Sequence, residues 1–333
     1  MNVRREGHTA SVLKNGKVLV AGGYGSGSSG HLNSSELYDP LTRIWTTTGG
    51  MNDRRMGHTE SVLMDGRVLV IGGTGSRRLN SVEFYDPSTE TWTITGSMDD
   101  IRDGHTASVL RDGKVLVAGG FNGDLNIYLN SAILYDPSTG TWTKTDSMNN
   151  TRRLHTASVL SDGRVLVAGG FDGRTYLNST ELYDPSTGTW TTTGYMNDGR
   201  EEHTASVLTN GRVLVAGGFD GRTHLNSTEL YDPLIGLWTT TGSMNDARQL
   251  HTASVLTNRK VLVTGGSGVI DVLNGAELYD PLTGLWTTID HMNDARQLHT
   301  ASVLTNRKVL VTGGFGVAGV LNSAELHEVF QTN

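Results

Sequence analysis

A chain of 333 residues that is 36% apolar and 18% charged is too apolar for disorder, and no apolar run in it approaches the roughly 18 residues needed to span a bilayer. Its formal charge of −7 disfavours nucleic acid as a partner, because phosphate binding rests on an excess of Lys and Arg. Cysteine is absent, which excludes disulfides and thiolate chemistry without assigning a compartment.

In chain order the first element is His-Thr-(Ala/Glu)-Ser-Val-Leu, which starts at His8 and returns at His58, His105, His155, His203, His251 and His299, at spacings of 50, 47, 50, 48, 48 and 48 residues. A fixed period of that size predicts a repeat architecture. Length alone would suggest two domains. Seven units in register predict one domain over 1–333, with repeats at about 1–50, 51–97, 98–147, 148–195, 196–243, 244–291 and 292–333 and a single core. Met1 fills the slot of Met51, Met98, Met148, Met196, Met244 and Met292, so residues 1–13 are already in register and no signal peptide is legible in them. Whether the chain is a piece of a longer protein stays open.

Within the repeat 203–242, residues 203–208 are β-prone, and Asn210-Gly211 predicts a two-residue hairpin turn. The run 212–218, Arg-Val-Leu-Val-Ala-Gly-Gly, is continuously apolar at its centre, which predicts a strand buried on both faces. After a variable loop, 225–232 alternates polar and apolar as a half-buried strand does; the Asp232-Pro233 turn then leads to a Thr-rich fourth strand at 237–241. Apolar content falls from the second strand to the fourth, which fits a four-stranded sheet whose outer strand meets water. Such sheets repeated at this period build a β-propeller.

The recurring set is Arg-x-x-His near the first strand, Gly-Gly closing the second, Asn-Ser-x-Glu-Leu-Tyr-Asp in the third and a Trp 19–22 residues beyond the second Gly. In this the chain resembles the kelch repeats over essentially its whole length. The resemblance implies an all-β, seven-bladed kelch-type β-propeller with four-stranded antiparallel blades and no helical domain. The last repeat lacks the Asp-Pro turn and the Trp after Glu325-Leu326, which predicts a three-stranded blade whose third strand, near 321–329, is an exposed edge. Kelch propellers often recruit partners, so the resemblance implies a non-enzymatic platform for a protein or peptide, with no cofactor and no metal. The open alternative is carbohydrate handling, as a binding module or a sugar-processing enzyme. The copper oxidases of this fold use a Tyr cross-linked to Cys and a Tyr-His pair, neither of which this chain has. No carboxylate or histidine departs from the repeat clearly enough to be read as a catalytic acid or base.

Residues repeated in every unit are read as scaffold. The seven histidines are expected to satisfy backbone groups at the start of the inner strand. Arg5, Arg55, Arg102, Arg152, Arg200, Arg248 and Arg296, each three residues before a His, are expected to hold Glu36, Glu83, Glu181, Glu229, Glu277 and Glu325. Gly-Gly pairs mark close approach, since no phosphate-loop Lys follows. Trp and Tyr are read as wedges between sheets. The sequons at Asn33, Asn149, Asn178 and Asn226 are by-products of the repeat, with glycosylation open if the chain is secreted.

Function is sought where the repeats differ. The loops after Gly-Gly have lengths of 8, 5, 8, 6, 6, 6 and 6, and the pair before each His also varies. In a four-stranded meander both places lie at one edge of the sheet, so they predict one variable face of the disc, and loops on a rigid scaffold concentrate binding. The candidate binding residues there are Tyr24, Arg77, Arg78, Phe121, Tyr128, Arg153, Phe171, Arg174, Tyr176, Phe219, Arg222 and His224. Aromatics and arginines are the types that anchor interfaces. Arginines crowd blades two to five, which predicts an off-centre acidic partner. The alternative is that Asp172, Asp220, Glu201 and Glu202 neutralise them.

Overall fold

The computed structural model describes residues 1–25 and 30–328. Seven antiparallel sheets form a ring, and among the described residues there is no helix. Each of the first six blades takes its four strands in chain order, from Thr9–Val12, Val18–Ala21, Ser35–Asp39 and Ile44–Thr48 in blade 1 to Thr252–Val255, Val261–Thr264, Ala276–Asp280 and Leu285–Ile289 in blade 6. The first strands stand side by side around a central channel. Second strands are buried throughout and fourth strands are mostly exposed, the gradient read from composition. Blade 7 has three strands among the described residues, Thr300–Val303, Lys308–Thr312 and Ala324–Glu328. The expected third strand is therefore found, and residue 329 of that expectation lies outside the described residues, as do 330–333.

The core is not one mass but a series of interfaces between neighbouring blades, because second strands are apolar on both faces. Leu13, Leu19 and Leu37 of blade 1, with Met51 between the blades, pack against Val68, Val70, Tyr85 and Trp92 of blade 2, and the later interfaces repeat the scheme. Tyr and Trp are paired wedges, as in Tyr85–Trp92 with centroids 5.2 Å apart, and the Trp92 indole donates to the Gly49 carbonyl of the preceding blade at 2.9 Å. The Gly-Gly pair is a close approach: a Cβ on Gly22 would lie 2.6 Å from the Arg55 carbonyl, and φ is +64° there.

The repeated Arg and His residues tie the ring together. The Arg152 Nη1 donates to the carbonyls of Gly169 at 2.7 Å and Ser179 at 3.1 Å, while Nη2 meets Glu181 at 2.8 Å. The same pattern holds in every blade except blade 3, where Ile133 occupies the Glu slot. The histidines act structurally: His8, His105, His155, His203 and His299 bond the backbone of the Arg three residues earlier, as expected, and a second partner lies across the blade interface. Each imidazole Nε2 meets the Thr hydroxyl of the preceding blade: His58–Thr9 at 2.8 Å, His155–Thr106 at 3.0 Å and, closing the ring, His8–Thr300 at 3.1 Å. Closure also uses the Gly314 N–H to the Arg5 carbonyl at 2.9 Å and the Met1 amine to the Asn322 carbonyl at 2.9 Å.

The turn joining the first two strands corrects the two-residue expectation. Gly16 N–H bonds the Leu13 carbonyl at 2.9 Å while Leu13 N–H bonds the Lys17 carbonyl at 2.8 Å, so the loop holds three residues with only the third left-handed. Blades 6 and 7 keep these bonds with Arg259 at φ 71° and Arg307 at φ 66° in the glycine position. A left-handed non-glycine residue costs roughly 1 kcal/mol or more, part of which glycine returns through its freer unfolded chain. Arg259→Gly and Arg307→Gly should each raise the stability modestly, by up to about 1 kcal/mol, read as a higher urea midpoint. Unchanged or lowered midpoints in both would defeat this account.

Candidate functional site

The two variable places are physically joined on one face. The residue two before each His pairs with the first residue of the loop after Gly-Gly: Glu6 with Tyr24, Met56 with Thr74, Asp103 with Phe121, Arg153 with Phe171, Glu201 with Phe219, Gln249 with Ser267 and Gln297 with Phe315. The bonds are reciprocal, as in Arg153 N–H to the Phe171 carbonyl at 3.0 Å and its return at 2.9 Å.

Six of the candidate residues form one continuous arc across blades 3 to 5. Ring centroids run Phe121–Tyr128 at 4.8 Å, Tyr128–Phe171 at 5.7 Å, Phe171–Tyr176 at 4.8 Å, Tyr176–Phe219 at 5.6 Å and Phe219–His224 at 5.5 Å. All six are half-buried, so each keeps an accessible part. The arc works like shingles: the Tyr128 ring lies over Gly173 of the next blade and Tyr176 over Gly221, where a Cβ would fall 2.6 and 2.3 Å from the rings. Arg78 extends it, its guanidinium resting on Gly123 and 5.8 Å from the Phe121 centroid. Arg153 stands 5.6 Å from Phe121 and 5.5 Å from Tyr128, in cation–π range.

Other candidates stand apart. Tyr24 pairs edge-on with His31 in blade 1, at 5.4 Å. Arg77, Arg174 and Arg222 are exposed, and among the described residues none forms a side-chain ion pair. Asp172 and Asp220, weighed as their neutralisers, instead accept from the backbone N–H groups of Arg174 and Arg222, at 2.7 and 2.8 Å. Arg78 is compensated, with Asp124 at 3.7 Å and Asp103 at 3.9 Å.

Around the channel mouth lies a rim that the sequence did not reveal. The residue before each His is left-handed in all seven blades: Gly7, Gly57 and Gly104, then Leu154, Glu202, Leu250 and Leu298, with φ between 52° and 61°. Backbone bonds link rim residues of neighbouring blades, such as Leu154 N–H to the Gly104 carbonyl at 2.8 Å and Gly7 N–H to the Leu298 carbonyl at 3.0 Å. The rim encloses about 400 Å³. Four side chains are thus kept at strained positions where glycine serves in three blades. Burial first, then neighbouring Glu201, pushes the Glu202 carboxyl up to about 7. Beside it, Arg153 Nε, Glu201 Oε2, His224 Nε2 and Gln249 Oε1 are buried without hydrogen-bond partners.

A second departure, Glu60, was passed over in the sequence. It alone stands where the other blades have Ala10, Ala107, Ala157, Ala205, Ala253 and Ala301, and it faces the channel of about 500 Å³ below the rim. Thr9 Oγ1 donates to its Oε2 at 2.5 Å, Ser11 also bonds the carboxylate, and burial pushes its carboxyl up to about 7. Among the described residues no three His, Asp or Glu side chains converge as metal ligands would.

A family model described as Kelch motif matches residues 7–52, 55–99 and 250–293, and the KLHDC2/KLHL20/DRC7 Kelch-repeats domain matches 93–266. Two solved structures share the fold. One is a novel fungal alcohol oxidase of the AA5 family in complex with copper, 19% identical, with a TM-score of 0.78, covering 94% of this chain and 70% of that one. The other is the structure of YjhT, 17% identical, with a TM-score of 0.68, covering 87% and 98%. No curated protein matches the chain. At these identities the likeness to solved structures speaks for the fold alone.

Proposed function

The chain belongs to the kelch-repeat family, and from that premise we propose that it is a non-enzymatic platform that binds a protein or peptide on the variable face over blades 2 to 5. The observation that carries this is the arc from Arg78 to His224, bordered by the unpartnered polar atoms of Arg153, Glu201, His224 and Gln249. Half-buried aromatics with an arginine stacked on them supply large contact area at little entropic cost, the composition of an interface hot spot. Arg77, Arg174 and Arg222 stand outside the arc without ion pairs, so acidic side chains flanking an apolar or aromatic anchor fit this face best. Blades 6 and 7 offer nearly uncharged loops, 267–272 and 315–320, which supports an off-centre partner.

The test is partner recovery by a variant with Arg77, Arg78, Arg174 and Arg222 changed to Glu, beside a control with Lys14, Lys17, Arg111 and Lys114 reversed on the opposite face. Recovery should fall at least about tenfold for the first and stay level for the control. Equal recovery removes the case for this face. The same rings could stack against sugars, so carbohydrate binding is the second reading; strong signals on a glycan array, lost on Tyr128→Ala, would favour it.

A further inference from the structure

The turn between third and fourth strands is built the same way in the first six blades, but its side chains divide them into two groups. In every one an Asp accepts the backbone N–H two residues on: from Leu41, Leu234 and Leu282 in blades 1, 5 and 6, at 2.8, 3.0 and 2.9 Å, and from Ser88, Ser138 and Ser186 in blades 2, 3 and 4, at 2.8, 2.9 and 2.8 Å. The serines also donate their hydroxyls to that Asp, each at 2.6 Å. The leucines return nothing to the turn, being 95%, 93% and 97% exposed. The residue before the Trp divides identically, Ile44, Leu237 and Leu285 against Thr91, Thr141 and Thr189, and Ile235 adds to blade 5. One exposed Leu is ordinary. Seven exposed apolar side chains confined to three blades, where Ser and Thr build the same turn, mark a surface.

Charge divides along the same line. The turns between first and second strands lie on this face too, since Lys14, Asp65 and Arg67 line one cleft with Asp86 and Ser88. They carry Asp65, Asp112 and Asp162 in blades 2, 3 and 4, but Asn15, Asn210 and Asn258 in blades 1, 5 and 6. Over both turns, residues 14–17 and 39–44 and their equivalents, blades 1, 5 and 6 hold six Lys and Arg against three Asp; blades 2, 3 and 4 hold four against seven Asp and Glu. Three arginines on the basic side also sit at strained positions. Arg259 and Arg307 replace glycine in the first turn of blades 6 and 7, and Arg43, at φ 61°, stands where Gly140, Gly188, Gly236 and Gly284 serve in blades 3 to 6. Blades 6, 7 and 1 are consecutive around the ring, and in blade 2 the slot of Arg43 holds Glu90. Strained residues concentrate where the side chain is needed for contact.

We propose that this face, over blades 5, 6, 7 and 1, docks the disc on an anionic bilayer surface, with Leu41, Leu234 and Leu282 entering the headgroup layer and the arginines meeting lipid phosphates. Two observations select a bilayer over a protein. The leucines stand singly on turn tips, at an exposure that the wall of a peptide groove would not allow. Equivalent slots of a ring also stand at one height, so a flat surface meets all the tips together. Apolar insertion and cationic attraction add in binding to such a surface. Blades 2 to 4, acidic on this face, are repelled, so the disc sits tilted. The surface lies across the disc from the variable face and does not depend on partner binding there.

The test is flotation of the full chain with vesicles of phosphatidylcholine, alone or with about 30 mol% phosphatidylserine. Binding should require the anionic lipid and fall with added salt. Two variants borrow residues that other blades already use. Leu41→Ser with Leu234→Ser and Leu282→Ser should weaken binding at least about tenfold at an unchanged urea midpoint. Arg43→Gly with Arg259→Gly should weaken it by a similar factor, about tenfold or more, at a midpoint no lower than the parent's. Arg111→Gln with Lys114→Gln removes as many charges from the acidic half and should leave binding within about twofold. Equal binding to neutral and anionic vesicles, parental binding by either of the first two variants, or an equal loss from the third would overturn the proposal. So would a dimer that the leucine variant turns into a monomer, which would give the tips to a second copy. Displacement from vesicles by soluble polyglutamate that binds equally well without the leucines would make this a protein site and overturn it too.

Discussion

Acidification should unfold this ring cooperatively, with a midpoint at about pH 4 to 6, because all seven inner-strand histidines are held neutral. His105, His203 and His299 are pushed down to about 3, and His8, His58, His155 and His251 lie well below their usual range. Burial is the first cause in each, and the guanidinium three residues earlier is the next. Their folded values lie below the unfolded value near 6.5, so the unfolded chain takes up protons first. The stability they contribute is whole above about pH 6.5 and is lost as the pH falls toward the folded values. Each costs about 1.4 kcal/mol per pH unit in that window, and seven together set an upper bound of about 10 kcal/mol for one unit, comparable to the whole stability of a domain. Glu60 and Glu202 work the other way. Their folded values are raised to about 7, so protonation relieves the folded state as the pH falls through the same range. Seven groups outweigh two. Circular dichroism against pH should show a steep transition that takes up several protons, and His105→Gln should make it shallower. A ring with the same thermal midpoint at pH 7 and pH 4 would contradict the assignment.

What was legible in the sequence follows what repetition encodes. A slot filled identically seven times states a requirement of every blade, so the period, the wedges, the Arg–Glu pairs and the truncated last blade could all be read from residues alone. What a slot does across a blade interface was not legible. The backbone bonds of the histidines could be expected from the sequence, but their Thr partners could not, because nothing linear places Thr9 beside His58. Leu154, Leu250 and Leu298 read as apolar variation, although their alignment with Gly7, Gly57 and Gly104 was the available signal for a left-handed rim. Glu60 stood in the sequence only as the one Glu in a slot otherwise filled by Ala, and only the closed ring turns that position toward the channel. The candidate binding residues were chosen singly. Their joining into an arc depends on Tyr128 and Tyr176 reaching the following blade, a distance set by blade packing and not by spacing.

Removing one buried carboxylate should cost more than any surface change in this chain. Arg152 and Glu181 are fully buried 2.8 Å apart, and Glu181 also accepts from the backbone N–H groups of Asn149 at 2.7 Å and Asn150 at 3.2 Å. Glu181→Ala leaves a buried guanidinium without its counter-charge and two N–H groups without partners, a loss of about 3–5 kcal/mol. Blade 3 shows how the fold tolerates that loss. Ile133 stands in the Glu slot, and Arg102 keeps Gly119 and Ser131 as acceptors at 2.9 and 3.0 Å, while burial pushes it down to about 10. Asp99 and Asp100 act against that shift: Asp100 lies 3.8 Å away, and Asp99 stands where the other six blades have Asn2, Asn52, Asn149, Asn197, Asn245 and Asn293. The lost carboxylate has in effect moved to the solvent side, and apolar volume has filled its place. Transplanting both changes, Glu181→Ile with Asn149→Asp, should therefore recover about half of the Glu181→Ala loss or more, through coupling between neighbouring sites. Denaturant midpoints of the two variants and of Asn149→Asp alone decide it. A loss below about 1 kcal/mol for Glu181→Ala would mean that the buried pair contributes nothing net. A double variant no better than Glu181→Ala would mean that blade 3 is held by something other than its two aspartates.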